Sequence, residues 1–181
     1  MKEQYHIADI FYSLQSEGHF SGQAAVFVCF APQDERAGMS MTAADIVETV
    51  MQYTSRHVVL TGVWDDLSDC DALISAFHDE GCYVQVETTA EAGVASEADW
   101  TTLIVGGTHT AASACDELLV VYEGQPVGRF LTVRAAHYYL LPDIDGENSN
   151  EKELIAKAID TIMHDPRWSL TLPLHHYIDI K

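Results

Sequence analysis

Three side chains that could move protons stand at widely separated points of the chain. Glu17 lies in a polar, glycine-containing loop over residues 16–22, Glu87 stands late in a predicted strand, and His175 lies near the C-terminus. Carboxylates and imidazoles serve as general acids and bases. No sequence spacing links these three residues, so an enzyme that relies on them alone is the least favoured of the hypotheses below.

Cysteine and histidine spacings predict no metal site. The four cysteines, Cys29, Cys70, Cys82 and Cys115, include no C-x-x-C pair. We expect free thiols that pack as small apolar groups. The nine histidines form no H-E-x-x-H motif. His175 and its neighbour at position 176 are adjacent, and adjacent side chains on a strand face opposite ways, so as a strand pair they could not chelate one ion.

Two further chemistries find no support in the sequence. Residues 106–110, G-G-T-H-T, could form an anion-binding turn, but they lack the lysine and the spacing of a P-loop. We interpret them as a connection between elements. No G-x-S-x-G motif is present, so the sequence gives no reason to expect a serine hydrolase.

Composition predicts one acidic globular domain over residues 1–181. The chain is 48% hydrophobic and 20% charged, with a net charge of -19. Such a charge repels phosphate backbones and argues against nucleic-acid binding. No apolar run reaches the roughly 20 residues that span a bilayer, and the N-terminus does not resemble a signal peptide. We therefore expect a cytoplasmic protein that does not contact the membrane.

Strands and helices alternate along the chain. Apolar and alternating runs predict strands over residues 5–14, 24–30, 57–63, 82–88, 100–105, 117–122, 138–141 and 168–174. Three helices are predicted: one capped by Thr42 with Asp45, one capped by Ser68 and ended by Gly81, and one that Asn150 caps and Pro166 ends. This alternation favours a mainly parallel sheet. Three helices with about seven strands are too few for a closed eightfold barrel, so we expect an open, partial (β/α) barrel.

Several segments resemble the 7-carboxy-7-deazaguanine synthases of the radical-SAM superfamily. Residues 11–18 read F-Y-S-L-Q-S-E-G and lead into A-V-F-V at 25–28, which is similar to the opening of that family. Weaker similarities keep the family's order to the end of the chain: L-T-G at 60–62, V-E-T at 86–88, D-E-L at 116–118 and P-R-W at 166–168. The resemblance implies a radical-SAM fold and a place in queuosine or other 7-deazapurine biosynthesis.

The chain departs from the family where its cofactors bind. The resemblance implies a [4Fe–4S] cluster held by C-x-x-x-C-x-x-C after the second strand, but residues 30–40 contain no cysteine. The family's G-G-E-P strand end, which binds S-adenosylmethionine, corresponds to Gly62, Val63 and Trp64 here, and its S-P-K lysine is absent from residues 104–106. We therefore predict a degenerate cofactor site with neither cofactor, in which Val63 and Trp64 fill the vacated space.

The substrate side of the family's site is partly kept. The resemblance implies a pocket formed by Gln15, Glu17, Glu87, Thr88 and His175, whereas Cys29 stands where the family has an arginine. Gln15 and Glu17 have a second interpretation, in which they only cap a turn and satisfy backbone donors.

Three hypotheses follow from these residues. In the first, the chain is a non-catalytic homologue that acts through binding or assembly, as a homodimer like its family or as a heterodimer with an intact relative. In the second, it binds a purine- or pterin-like molecule in the retained pocket. In the third, it is a repurposed enzyme that works without the cluster through Glu17, Glu87 and His175.

Overall fold

One nine-stranded sheet runs through the protein. The computed structural model describes residues 4–31, 38–62, 70–89, 97–106, 114–144, 150–178 and 180. The strands are β1 (Tyr5–Leu14), β2 (Ala24–Phe30), β3 (Met39–Met41), β4 (His57–Gly62), β5 (Tyr83–Thr89), β6 (Trp100–Val105), β7 (Ala114–Tyr122), β8 (Arg134–Pro142) and β9 (Trp168–Leu170). Their order in the sheet is β3-β1-β2-β4-β5-β6-β7-β8-β9. The strands β2 and β4 to β9 pair in parallel, and β1 is antiparallel to both its neighbours.

Within the described residues three α-helices accompany the sheet, as the sequence predicts: α1 (Ala43–Val50), α2 (Asp71–Asp79) and α3 (Glu151–His164). Thr42 caps α1 with the predicted capping box, because its hydroxyl accepts from the Asp45 amide and the Asp45 carboxylate accepts from the Thr42 amide. None of the described helices has both the length and the apolar character needed to cross a bilayer. The parallel sheet with three helices confirms the predicted mixed α/β class.

Each face of the sheet has a different role. Helices α1 and α2 pack against one half of the sheet around Val28, Leu60 and Phe77, and α3 packs against the other half around Leu118 and Trp168. On the opposite face the described residues form a small apolar cluster, Ala25, Phe27 and Val59, beside which polar side chains begin. The helices therefore consolidate one face and leave the other as the place where chemistry could occur.

Several predicted boundaries are wrong. The sheet has nine strands, one more than the eight predicted segments, because a three-residue strand, β3, extends its edge. The strands β7 and β8 begin at Ala114 and Arg134, ahead of the predicted 117 and 138. Polar residues near the starts of β7 and β8 weaken the apolar pattern that predicts a strand.

The C-terminal segment also differs from the prediction. The strand β9 ends at Leu170 rather than 174, and Leu174–His176 form a 3-10 helix. Pro173 precedes that helix and cannot donate a ladder hydrogen bond. The rings of His175 and His176 consequently lie 4.5 Å apart instead of facing opposite ways.

Helix ends follow the sequence prediction in part. Gly81 has the positive φ (73°) of a C-terminal glycine. Asn150 occupies the N-cap of α3 but makes no capping bond, because its amide donates to Glu153 instead. The predicted cap Ser68 lies outside the described residues.

Candidate functional site

A row of polar side chains crosses the sheet face opposite the helices. Glu87 of β5 is in register with Thr102 of β6, Thr102 with Glu117 of β7, and Glu117 with His137 of β8. Residues in register on parallel strands point the same way, so these four share one face. Glu117 is only 1% exposed, which is unusual for a carboxylate and requires specific partners.

The loop between β1 and β2 folds across this row. Its ends are joined by backbone bonds from Gln15 N to Gln23 O (2.7 Å) and from Gly22 N to Gln15 O (2.8 Å). At its tip, the Gly18 amide donates to Thr171 Oγ1 (2.9 Å) and the His19 amide donates to Glu117 Oε2 (2.8 Å). The loop therefore bridges the first hairpin, the middle of the sheet and the C-terminal segment.

Gly18 permits this close approach. Its φ is +72°, and a Cβ at this position would overlap the Glu117 carboxylate. Only glycine offers both the left-handed backbone and the missing side chain.

An amide of the loop meets a carboxylate of the sheet. Gln15, which is 3% exposed, donates from Nε2 to Glu87 Oε1 over 2.6 Å. Behind this pair, Gln85 Nε2 donates to Thr102 Oγ1 (3.1 Å), and Gln85 Oε1 contacts His57 Nε2 at 3.0 Å. Gln15 and Glu87 are 72 residues apart in sequence, and this contact brings the two predicted site residues together. Their roles in binding stay a prediction.

Glu17 and His175 meet through a serine. Ser16 Oγ donates to Glu17 Oε1 (2.8 Å) and lies 2.9 Å from His175 Nδ1, while Glu17 Oε1 and His175 Nδ1 are 3.6 Å apart. A serine nucleophile would need the histidine to accept its proton and the carboxylate to hold the histidine. Here the hydroxyl donates a hydrogen bond to the Glu17 carboxylate, so the group is suited to polar recognition rather than to nucleophilic attack.

The remaining predicted site residues lie elsewhere. Thr88 follows Glu87 on β5, so its side chain points to the helix face, where it is buried and donates to the Thr89 carbonyl. Gly62 ends β4 with φ +116°, and a Cβ there would overlap the Phe30 backbone. The glycine is therefore required by strand packing. Val63 and Trp64 lie outside the described residues.

Three carboxylates on this face have raised pKa values. The pKa of Glu117 is raised to about 7, first by burial and then by the charges of Glu87 and Glu17, against the lowering effect of the bond from the His19 amide. Burial also raises the pKa of Glu87, although bonds from Gln15 and Thr61 lower it, and burial raises the pKa of Glu17. Because the three groups interact, they resist full simultaneous ionisation. Protonated members of the group could donate hydrogen bonds as well as accept them.

Aromatic rings extend the site toward the start of the strands. The His19 ring stacks on Trp100 (4.8 Å between centroids) and lies 4.4 Å from His137. Phe20 packs edge-on against Trp100 and His57. The Trp100 indole lies near Glu117 and lowers the pKa of that carboxylate. The Trp100 Nε1 is buried, and no described group lies in hydrogen-bonding geometry with it.

Sequence reasoning missed Glu117, His19 and His137. The available signal was an acidic residue inside an otherwise buried, apolar strand at 117–122. Such a carboxylate is rare without a specific partner. The partners of Glu117 come from a loop about a hundred residues earlier, which no local pattern could reveal.

The cysteines do not fit an iron–sulfur cluster. Cys70 and Cys82 are buried in the core on the helix face, whereas Cys29 packs against the cluster on the opposite face. Burial raises the pKa of Cys82, and that of Cys115 to about 12, which disfavours the thiolate form that binds iron. Among the described residues, no three cysteine, histidine or acidic side chains converge as a metal site.

Comparisons with known proteins relate this arrangement to one family. A scan against protein-family models finds no match. A protein of Bacteroides thetaiotaomicron is 35% identical over 97% of this chain and 98% of its own length, and one of Bradyrhizobium diazoefficiens is 28% identical over 98% and 99%. Both bear the name 7-carboxy-7-deazaguanine synthase.

The fold comparison agrees with the sequence comparison. The crystal structure of QueE from Escherichia coli superposes with a TM-score of 0.67 over 93% of each chain, at 19% identity. Two nearly full-length relatives of the same name, one of them above 30% identity, leave a single assignment: this chain belongs to the 7-carboxy-7-deazaguanine synthase family.

Proposed function

We propose that this chain is a family member that holds no iron–sulfur cluster and binds a purine- or pterin-like heterocycle on the sheet face opposite the helices. The observation that carries this proposal is the 2.6 Å bond between Gln15 and Glu87. It joins the loop to the strand at the positions where the family resemblance implies a substrate pocket. Two polar groups that the fold holds in direct contact form a preorganised recognition surface.

The positions of the cysteine thiols support the absence of a cluster. Three thiolates must converge on a [4Fe–4S] cluster and leave one iron open. The chain has four cysteines at positions 29, 70, 82 and 115. Cys70 and Cys82 share one core cluster, whereas Cys115 packs against a second cluster and Cys29 against the cluster on the opposite face, so no cluster holds three of them. At the position of the family's carboxylate acceptor the chain has Trp64, whose indole cannot accept a hydrogen bond.

The ligand class follows from the groups on offer. Carboxylates and primary amides recognise ring N–H groups and exocyclic amines, which purines and pterins present along one edge. Glu17, Glu87 and Glu117 would oppose an anionic ligand at the same place. Cys29 offers no charge where the family has an arginine, so we propose a neutral or cationic ring.

Assembly is the other part of the proposal. The family resemblance supports a homodimer, or a heterodimer with an intact relative, and neither needs the cluster. A stable stoichiometric complex in co-purification would support the heterodimer, and two separate peaks in size-exclusion chromatography would reject it.

A cluster-independent enzyme is the less favoured alternative. The hydroxyl of Ser16 donates to Glu17, an order that does not activate a nucleophile. Any activity would have to use Glu17, Glu87 or His175 in proton transfer alone.

A thermal-shift screen against purines, deazapurines, pterins and S-adenosylmethionine tests the binding proposal. A ligand that binds only the folded state stabilises it by RT ln(1 + [L]/Kd), about 2.7 kcal/mol at a hundredfold excess over Kd. We expect a shift with a purine- or pterin-type ring and none with S-adenosylmethionine. The reverse pattern would overturn the proposal.

Glu17→Gln tests the pocket directly. We expect the affinity for the ring found in the screen to fall about tenfold or more, because a hydrogen bond to a charged group contributes roughly 1.5–3 kcal/mol. Isothermal titration measures the affinity, and circular dichroism checks that the variant is folded. Glu48→Gln, an exposed acid on α1, is the matched control. Equal affinities for the wild type and Glu17→Gln would exclude this pocket.

A further inference from the structure

A shallow groove of about 520 Å³ runs between α1 and α2 on the side away from the sheet. Its apolar floor consists of Ala44, Val47 and Met51 from the α1 region and Ala76 from α2. Ala44 is exposed and Ala76 is half-buried, and the short side chains of these two alanines leave space between the helices. Val47 and Met51, four residues apart, continue the buried stripe of α1 outward.

The rim of the groove is acidic on both sides. Glu48 lies on the α1 side, and Asp79 and Glu80 lie on the α2 side; all three are exposed. Arg56, a nearby cation, is held by the carbonyls of Tyr53 and Ser55. An apolar floor between two acidic rims is complementary to an apolar stripe between two rows of basic side chains.

The dimensions suit a helix. The α1 side of the groove extends from Ala44 to Met51, which is about 10 Å at about 1.5 Å per residue. That length accepts about two turns of a helix, with apolar anchors at i, i+4 and i+7, the usual mode of helix-in-groove recognition.

We propose that the α1–α2 groove docks an amphipathic helix of a partner protein whose apolar stripe is flanked by lysine or arginine. Other occupants fit the rim less well. Anionic lipid headgroups and nucleic acids would meet Glu48, Asp79 and Glu80 with like charge. A second copy of this chain also has a net charge of -19, which opposes approach to an acidic rim. The groove lies across the sheet from the polar row, so docking need not disturb a ligand there.

The test uses two fluorescein-labelled 16-residue peptides and the full chain. One peptide is an amphipathic helix with leucines on one stripe and lysines on both flanks, and the other is a scramble of identical composition and charge. Fluorescence anisotropy in about 150 mM salt, where the Debye length is about 8 Å, limits non-specific attraction to the acidic chain. We expect at least tenfold tighter binding of the amphipathic peptide. Equal binding of the scramble would overturn the proposal.

Charge-reversal variants locate the contact. Glu48→Lys with Asp79→Lys should weaken the amphipathic peptide about tenfold, because two rim attractions become repulsions. Glu123→Lys with Glu151→Lys makes the same change of net charge at exposed positions outside the groove and should leave affinity near that of the wild type. Equal losses in both double variants would overturn the proposal, because attraction to net charge would then account for the binding.

A single floor variant and the oligomeric state complete the test. Val47→Asp places a charge on the floor and should abolish discrimination between the two peptides, with circular dichroism confirming the fold. Sedimentation of the chain alone examines self-association. A dimer that Glu48→Lys and Asp79→Lys dissociate would make a second copy the occupant and would overturn the proposed partner.

Discussion

Glu117 is the residue where the loop and the sheet meet. Its carboxylate accepts the His19 amide and fills the space that Gly18 leaves open. The same carboxylate interacts with Glu87 and Glu17, so its protonation affects the whole polar row. This side chain therefore links the local geometry of the loop to the charge state of the candidate site.

The raised pKa of Glu117 makes stability depend on pH. A glutamate has an ordinary pKa of 4.5, and here the folded value is about 7. Between these values the folded chain holds a proton that the unfolded chain has released, so stability falls as pH rises through this window. Glu117→Gln should remove this part of the loss, which is up to about 3 kcal/mol.

Urea denaturation at pH 5 and pH 8 measures this effect. Burial lowers the pKa values of His19 and His57, so these histidines make stability rise with pH in both the wild type and Glu117→Gln. The difference between wild type and Glu117→Gln therefore isolates the carboxylate. Parallel pH profiles for the two proteins would show that Glu117 titrates normally.

Gly18→Ala tests the close approach of loop and sheet. The substitution combines an unfavourable positive φ with overlap of the Glu117 carboxylate, so we expect a loss of about 2–3 kcal/mol in the free energy of unfolding. Gly22→Ala is the matched control, because Gly22 also has a positive φ (83°) but no described atom near its missing Cβ. It should lose only about 1 kcal/mol. Equal losses in the two variants would mean that Gly18 does not depend on Glu117.

At the scale of elements, the caps distinguish two helices that look alike in sequence. Thr42 and Asn150 both stand at N-caps, yet only Thr42 accepts a backbone amide. Thr42→Ala should cost about 1 kcal/mol of stability. Asn150→Ala should cost much less, because no capping bond is lost. Chemical denaturation compares the two, and equal losses would contradict the assigned caps.

Elements were predictable where the local pattern decides them. The capping box of α1, Gly81 after α2 and the buried strands β2 and β4 all follow from spacing and propensity. The predicted C-terminal strand extends too far because apolar residues alternate from Trp168 to Leu174, whereas Pro173 interrupts the ladder. The edge strand β3 has three residues, too few to show any period.

At the scale of the whole molecule, the site depends on contacts that no local pattern encodes. Gln15, Glu17, Glu87 and His175 could be named in advance because the family resemblance implied them. Their grouping on one face arises from parallel register and from a loop that crosses the sheet. Thr88 illustrates the limit, since a single step along β5 turns its side chain to the other face.

The whole molecule has two separate candidate binding surfaces. One sheet face carries carboxylates, amides and rings, whereas the other is covered by helices whose outer groove is apolar with an acidic rim. A family member without a cluster could therefore use the first surface for a small molecule and the second for a partner. The two proposals fail independently, because no residue belongs to both surfaces.

Anaerobic reconstitution with ferrous iron and sulfide, followed by metal analysis and visible absorption, tests whether this chain can hold an iron–sulfur cluster. We predict protein with no bound iron above the background of a non-metal control and no iron–sulfur absorption band. About four irons and four sulfides per chain, the content of a [4Fe–4S] cluster, would contradict this prediction and return the chain to the cluster-dependent chemistry of its family.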